Sequence, residues 1–216
     1  MRRAEKVVLM CLLILLIAGS TGCDMKPDII SYVDATMDLF IKGEAEEYMK
    51  LTKSTEEEAA KIYNDYIDIW TNFLIGDEIS EELKENFREI FREVFAEARY
   101  QVKSSKKVKN ERKYIVTIEV EKITGLFEGL KTEVGMKLRD WEYAQKKRPN
   151  DEEYDRAGYQ ILYECMRGRQ KELTYYEPEE ITIEVAEEEG NYGIVNGGYR
   201  TIRDALISME GLAEKE

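Results

Sequence analysis

The stretch Tyr114-Ile115-Val116-Thr117-Ile118-Glu119-Val120-Glu121 decides the fold, because the apolar period of the chain changes there from three or four residues to two. Tyr114, Val116, Ile118 and Val120 fall on one side of an extended chain, and Ile115, Thr117, Glu119 and Glu121 on the other, since side chains alternate across a pleated strand. Tyr100 and Val102 begin a partner strand, and the polar segment near Asn110 is the turn between them. A β-hairpin is predicted.

Upstream of it the spacing is helical. Ile30, Val33, Met37, Phe40 and Ile41 share a face, and Gly43 offers the left-handed stop before a short helix through Tyr48, Met49 and Leu51. A third helix is predicted with Ser54 as cap and Glu57 reaching back, carrying Ala59, Ile62, Tyr63, Tyr66, Trp70, Phe73 and Leu74 until Gly76 closes it. Leu83, Phe87, Ile90, Phe91, Val94 and Phe95 give the clearest helical period, with Ser80 as cap and Glu81 and Glu82 at the positive helix end.

Downstream, Phe127, Leu130, Val134, Leu138 and Trp141 predict a helix that breaks at Pro149. Tyr154, Ala157, Ile161, Cys165 and Leu173 continue the helical spacing after Asn150, and Pro178 ends that segment. Ile181, Ile183 and Val185 alternate, Glu189-Gly190-Asn191 turns, and Tyr192 and Ile194 return as a second hairpin. Gly197 and Gly198 precede a last helix with Ile202, Ala205, Leu206 and Met209. The order is N-terminal helices, β-hairpin, two helices, second β-hairpin, short C-terminal helix. It predicts an α+β domain whose four-stranded antiparallel sheet is covered by helices on one face and wet on the other.

The beginning of the chain sets its expected location. Arg2, Arg3 and Lys6 form a basic head, and Val7 to Ala18 follow as an unbroken apolar run. A membrane-spanning helix needs about twenty apolar residues, so a run of this length reads as an export signal. Ser20-Thr21-Gly22-Cys23 resembles the lipobox of bacterial lipoproteins, with Ser20 where leucine is usual. That resemblance implies diacylglycerol on the sulfur of Cys23, removal of residues 1–22 as a signal peptide, and a lipidated Cys23 with a short tether through residue 26. Residues 27–216 then form one extracytoplasmic domain on the outer face of the cytoplasmic membrane. Asp24 resembles the inner-membrane retention signal of two-membrane bacteria. An ordinary secretory signal that happens to end near a cysteine is the alternative.

Removing residues 1–22 takes three basic and one acidic residue from totals of 32 and 45, leaving 29 against 44 and a formal charge of −15. Such a charge opposes nucleic-acid binding and holds the body of the domain off an anionic membrane. A mature chain of this length buries a core without metal or disulfide staples. Cys11 leaves with the signal and Cys23 is the lipidation site, so Cys165 has no intrachain partner.

Two further resemblances bear on fold and place. The helix running into Lys42-Gly43-Glu44, followed by a second helix, resembles the opening of cystatin-like and NTF2-like α+β domains. The lipobox, Tyr32 to Asp38, Lys42-Gly43-Glu44, Tyr48 to Thr52, Thr55 to Ala59, Tyr114 to Ile123 and Tyr176 to Ile183 together resemble small lipoproteins of clostridial-type Gram-positive bacteria. That resemblance implies a membrane lipoprotein carrying a domain of unknown function, and no active site.

Chemistry is sparsely written in this chain. It has no histidine, which removes the usual proton shuttle at neutral pH, the Ser-His-Asp and Cys-His arrangements and the commonest metal ligand. Two carboxylates acting on a glycoside remain open as an alternative, although the 44 acidic residues left after residues 1–22 are removed single out no pair. Asn150-Asp151-Glu152-Glu153 with Asp155 lacks the glycine and alternating ligands of a calcium loop, and reads as a helix cap. Cys165 lies on an apolar stripe as a small buried hydrophobe.

Lys103, Lys106, Lys107, Lys109, Arg112 and Lys113 set six positive charges on one hairpin against Glu111. Such a basic tongue suits anionic lipid headgroups, a wall polymer or an acidic envelope protein, while lysines on an edge hairpin also guard a sheet against aggregation. Tyr63, Tyr66, Trp70, Trp141 and Tyr154 line either a ligand groove or the core. The expected function is a lipid-anchored binding or interaction module at the cell envelope, without catalysis, cofactor or metal and with the membrane as its first partner. A carrier of a small ligand between helices and sheet and a carboxylate-dependent glycoside hydrolase are the alternatives.

Overall fold

The computed structural model describes residues 28–75, 79–188 and 191–212. The signal peptide, Cys23, its tether, Pro27, Gly76 and the turn residues Glu189 and Gly190 lie outside the described residues. The architecture is α+β, with seven α-helices and a four-stranded antiparallel sheet among the described residues, as the change of period predicts.

Helix α1 (Ile29–Met37) is capped by Asp28 and runs straight into a π-turn (Asp38–Lys42) that Gly43 ends with φ 76°. The wider turn explains how three consecutive residues are all buried. Leu39 packs with Ala35, Tyr48 and Ala59, whereas Phe40 and Ile41 join the main core. Helix α2 (Glu46–Thr52) ends on Lys53 in the left-handed region. Helix α3 (Glu56–Leu74) starts one residue later than the sequence predicts. The Ser54 hydroxyl is engaged with that of Thr52 at 2.7 Å, so Thr55 becomes the cap and Glu58 its reciprocal partner, Glu58 Oε2 accepting from the Thr55 N–H at 2.8 Å. Ser80 caps α4 (Glu81–Ala96) as expected.

Strands β1 (Arg99–Lys107) and β2 (Lys113–Glu121) form the first hairpin, with a bulge between Val102 and Ser104. Strands β3 (Ile123–Thr124) and β4 (Thr174–Tyr175) make a separate two-stranded patch. Strands β5 (Glu179–Glu188) and β6 (Asn191–Val195) form the second hairpin. The sheet order is β1-β2-β5-β6, which joins the two hairpins through β2 and β5 with Val116 opposite Ile183 and Ile118 opposite Ile181. Val116, Ile118, Val120, Ile183, Val185 and Ile194 face the helices and share one core with Phe87, Phe91 and Phe95 of α4.

The other face is polar: Lys103 meets Glu119 at 3.0 Å and Arg99 meets Glu121 at 3.1 Å. Helix α5 (Leu130–Ala144) begins at Leu130, so Phe127 precedes it in a loop and packs in the core. Helix α6 (Asp151–Arg169) is capped by Asn150, whose side-chain Oδ1 accepts from the Glu153 N–H at 2.8 Å. It ends before Leu173, which leads into β4. The α5–α6 pair forms an arm, with Tyr143 83% exposed near its far end. Helix α7 (Gly198–Leu206) stops short of Met209 and covers β5.

Candidate functional site

Strand pairing divides the six cations of the first hairpin. Lys103 donates to Glu119 at 3.0 Å and to Gln101 at 3.1 Å on the polar face. Lys113 lies between Glu111 at 3.5 Å and Glu184 at 3.9 Å. The expectation that Glu111 alone opposes these charges is therefore corrected: β2 and β5 bring Glu119 and Glu184 beside two of them. Lys107 stands on the helix-covered face with its ammonium 5.9 Å from the Tyr114 ring. Lys106, Lys109 and Arg112 are exposed and form no ion pair among the described residues. The remaining basic surface is the hairpin tip, at the edge strand of the sheet.

The first turn of α1 lies at the same end of the sheet as that tip. The Tyr32 hydroxyl donates to the Tyr192 carbonyl at 2.7 Å, and the Tyr192 ring lies 5.5 Å from that of Tyr32 and 5.9 Å from that of Tyr114. Burial, and then Tyr114, pushes the Tyr192 hydroxyl up to about 12. At the other end of the helix, Tyr100 donates to Asp38 at 2.6 Å, and Lys42 sits 4.6 Å from the Tyr100 ring. Helix α1 thus runs antiparallel to β1, starting at the hairpin tip and finishing near the start of that strand.

The opposite end of the hairpin carries an open cleft of 590 Å³ lined by Arg99, Glu121, Thr174, Tyr175, Tyr176 and Pro178. The Arg99 guanidinium stacks 3.7 Å from the Tyr175 ring, whose hydroxyl donates to the Glu97 carbonyl at 3.0 Å. No sequence signal marked this cleft, because residues 99, 121 and 175 meet only through the β1–β2 and β3–β4 pairings.

Cationic partners hold several of the carboxylates low. Hydrogen bonds from Lys137 and Arg169 pull Glu133 down to about 2. Arg92 lowers Glu85, and Arg167 lowers Glu93. Asp34 is raised, by burial and then by Asp38 one turn along the same helix. Cys165 is 3% exposed, and burial followed by the neighbouring Glu133 raises its thiol. Trp70 and Tyr66 pack in the core, while Trp141 and Tyr154 pair on the arm at 6.3 Å. Among the described residues no cluster of three acidic or cysteine side chains gathers to hold a metal ion, and no helix is long and apolar enough to cross a membrane.

The sequence matches no protein-family model and no curated protein. Among solved structures, the fold is similar to that of a Bacillus subtilis chain described as "a putative lipoprotein (ycdA)", with a TM-score of 0.59 at 16% identity. The match covers 83% of this chain and 56% of that one, so this chain spans little more than half the length of the structure it matches. At that identity the likeness is one of fold.

Proposed function

We propose that the chain is a lipid-anchored extracytoplasmic module of the cell envelope, a lipoprotein of the kind found in clostridial-type Gram-positive bacteria, that binds or positions an envelope component and catalyses nothing itself. The observation that carries this reading is the position of the first helix cap. Asp28 opens α1 five positions after Cys23, so a lipid on that sulfur leads directly into a folded domain. The similar Bacillus subtilis chain, itself described as a lipoprotein, supports the same reading.

A non-catalytic role is supported by the absence of histidine and by the charged partners of Glu85, Glu93 and Glu133. A general acid needs a raised carboxyl poised across a cleft from its partner. Asp34, the described carboxyl that is raised, instead shares a helix with Asp38. A carrier of a small ligand between helices and sheet is the weaker reading, because Val116, Ile118, Val120 and Val185 already fill that space at 0% exposure.

The test is metabolic labelling with a clickable fatty acid, followed by membrane fractionation. The native chain is expected to carry the label and sediment with membranes, and Cys23→Ser to lose both. A Cys23→Ser protein that remains acyl-labelled and membrane-bound overturns the anchor. A bell-shaped pH dependence of turnover on a wall glycan overturns the absence of catalysis.

A further inference from the structure

We propose that the tip of the β1–β2 hairpin, with Lys106, Lys107, Lys109 and Arg112, is a docking surface for anionic lipid headgroups that seats this end of the domain on the bilayer. The inference rests on the anchored reading above and adds an orientation to it. Tyr32 in the first turn of α1 reaches Tyr192 on β6, the Tyr192 ring in turn meets that of Tyr114, and Lys107 projects over Tyr114 on the same side. The chain therefore enters the domain at the end of the sheet that carries the basic tip.

Reach makes the placement specific. Five residues from Cys23 to Asp28 span at most about 18 Å when fully extended, at roughly 3.5 Å each. Strand β1 continues for nine residues away from the tip, about 30 Å at roughly 3.3 Å per residue. A lipid on Cys23 holds the tip end near the headgroups and leaves the cleft at Arg99 and Tyr176 turned away.

Charge favours the same side. Lys106, Lys109 and Arg112 are exposed and without ion pairs among the described residues, so they reach a bilayer without breaking an internal contact. The acids at this end are placed differently. Asp28 caps α1, Glu111 and Glu184 flank Lys113, and the Glu187 N–H donates to the Arg112 carbonyl at 2.8 Å, which sets that residue of β5 level with the tip. The hairpin cations therefore stand beside these acids at one end of the sheet, and Lys106, Lys109 and Arg112 are available there because none of them forms an ion pair among the described residues.

The experiment uses the full-length lipidated protein in vesicles of phosphatidylcholine alone or mixed in equal parts with phosphatidylglycerol. Flotation is followed by acylation of exposed amines and mass spectrometry of each lysine. The protein is expected to float with both vesicles. Lys106, Lys107 and Lys109 are expected to react more slowly only on the anionic ones, by roughly five-fold for each cation engaged.

Lys146 and Lys147, exposed on the arm, serve as internal controls. In the Lys109→Gln/Arg112→Gln variant the protection of Lys106 and Lys107 should fall, and added salt should remove it from the native protein. Equal labelling on both vesicles, or equal slowing at Lys146 and Lys147, overturns the docking surface while the anchor stands. Failure to float with either vesicle overturns the anchor and the orientation together. Retention on an anionic wall polymer, with the hairpin amines still reactive on vesicles, assigns the patch to that polymer and overturns the lipid surface.

Discussion

Arg169 donates from Nε and Nη2 to a single oxygen of Glu133, at 3.1 and 2.9 Å, and turns Nη1 to the carbonyls of Gly125 and Glu128. One guanidinium at the end of α6 therefore ties the first turn of α5 to the loop before it, at the base of the arm. Arg169→Ala is expected to lower unfolding stability by about 1–3 kcal/mol, the range for partly buried charged hydrogen bonds. Arg169→Lys should fall between, because an ammonium cannot reproduce the planar fork. Amide hydrogen exchange should quicken over residues 130–169 and stay unchanged in the sheet. Uniform acceleration throughout the protein would show that the arm does not open as a unit.

The same glutamate gives the acid response a sign. Its folded value near 2 lies below the unfolded carboxyl value of about 4.3, through the hydrogen bonds of Lys137 and then Arg169. Its stabilising contribution is therefore complete above about pH 4.3 and disappears as the pH falls toward 2. Glu85 and Glu93 act in the same direction. Thermal unfolding from pH 7 to pH 2.5 should show the melting temperature dropping through this window, with a shallower fall in Glu133→Gln. Asp34 has the opposite sign, since its folded value is raised. Asp34→Asn should accordingly stabilise the fold at pH 7, and a loss there would contradict its strained setting.

Gly43 and Lys53 both end helices in the left-handed region, at φ 76° and 64°. A Cβ on Gly43 would stand 2.9 Å from the Tyr63 ring, so Gly43→Ala combines a conformational cost of about 1–2 kcal/mol with displacement of that ring. Lys53→Gly relieves the same backbone preference and should raise stability by about 0.5–1 kcal/mol. Urea unfolding of the two variants separates the terms. A Gly43→Ala loss no larger than the Lys53→Gly gain would mean that Tyr63 yields without cost.

Local rules reach a definite distance into this molecule. The Ser80 cap, the Gly43 stop and the alternation of β2 are written within a few residues and are found as expected, and of Asn150 and Asp151, either of which could cap α6, the structure uses Asn150. Thr55 replaced Ser54 as a cap because the neighbouring Thr52 hydroxyl engaged Ser54, a competition that residue spacing does not express. The basic hairpin was legible as composition and only partly as a site. Glu119 is sixteen residues from Lys103, and Glu184 joins Lys113 through the β2–β5 register. The Tyr32–Tyr192 contact, across 160 residues, brings the entering helix to the second hairpin, at the same end of the sheet as the basic tip, and had no signal in either segment alone.

Cys165 links the arm to a chemical readout. Its thiol is buried on α6 and raised by burial and by Glu133 on α5, so it should resist alkylation while the two helices remain together. The thiolate is the reacting form, and a buried, raised thiol offers little of it. In the native protein the Cys165 peptide should therefore remain largely unmodified by iodoacetamide under conditions that modify it fully in denaturant. Arg169→Ala should accelerate modification at least ten-fold without denaturant, because loosening the arm both exposes the sulfur and separates it from Glu133. If exchange over residues 130–169 quickens in that variant while Cys165 stays protected, the arm frays at its far end and the junction at Arg169 does not control access to the thiol.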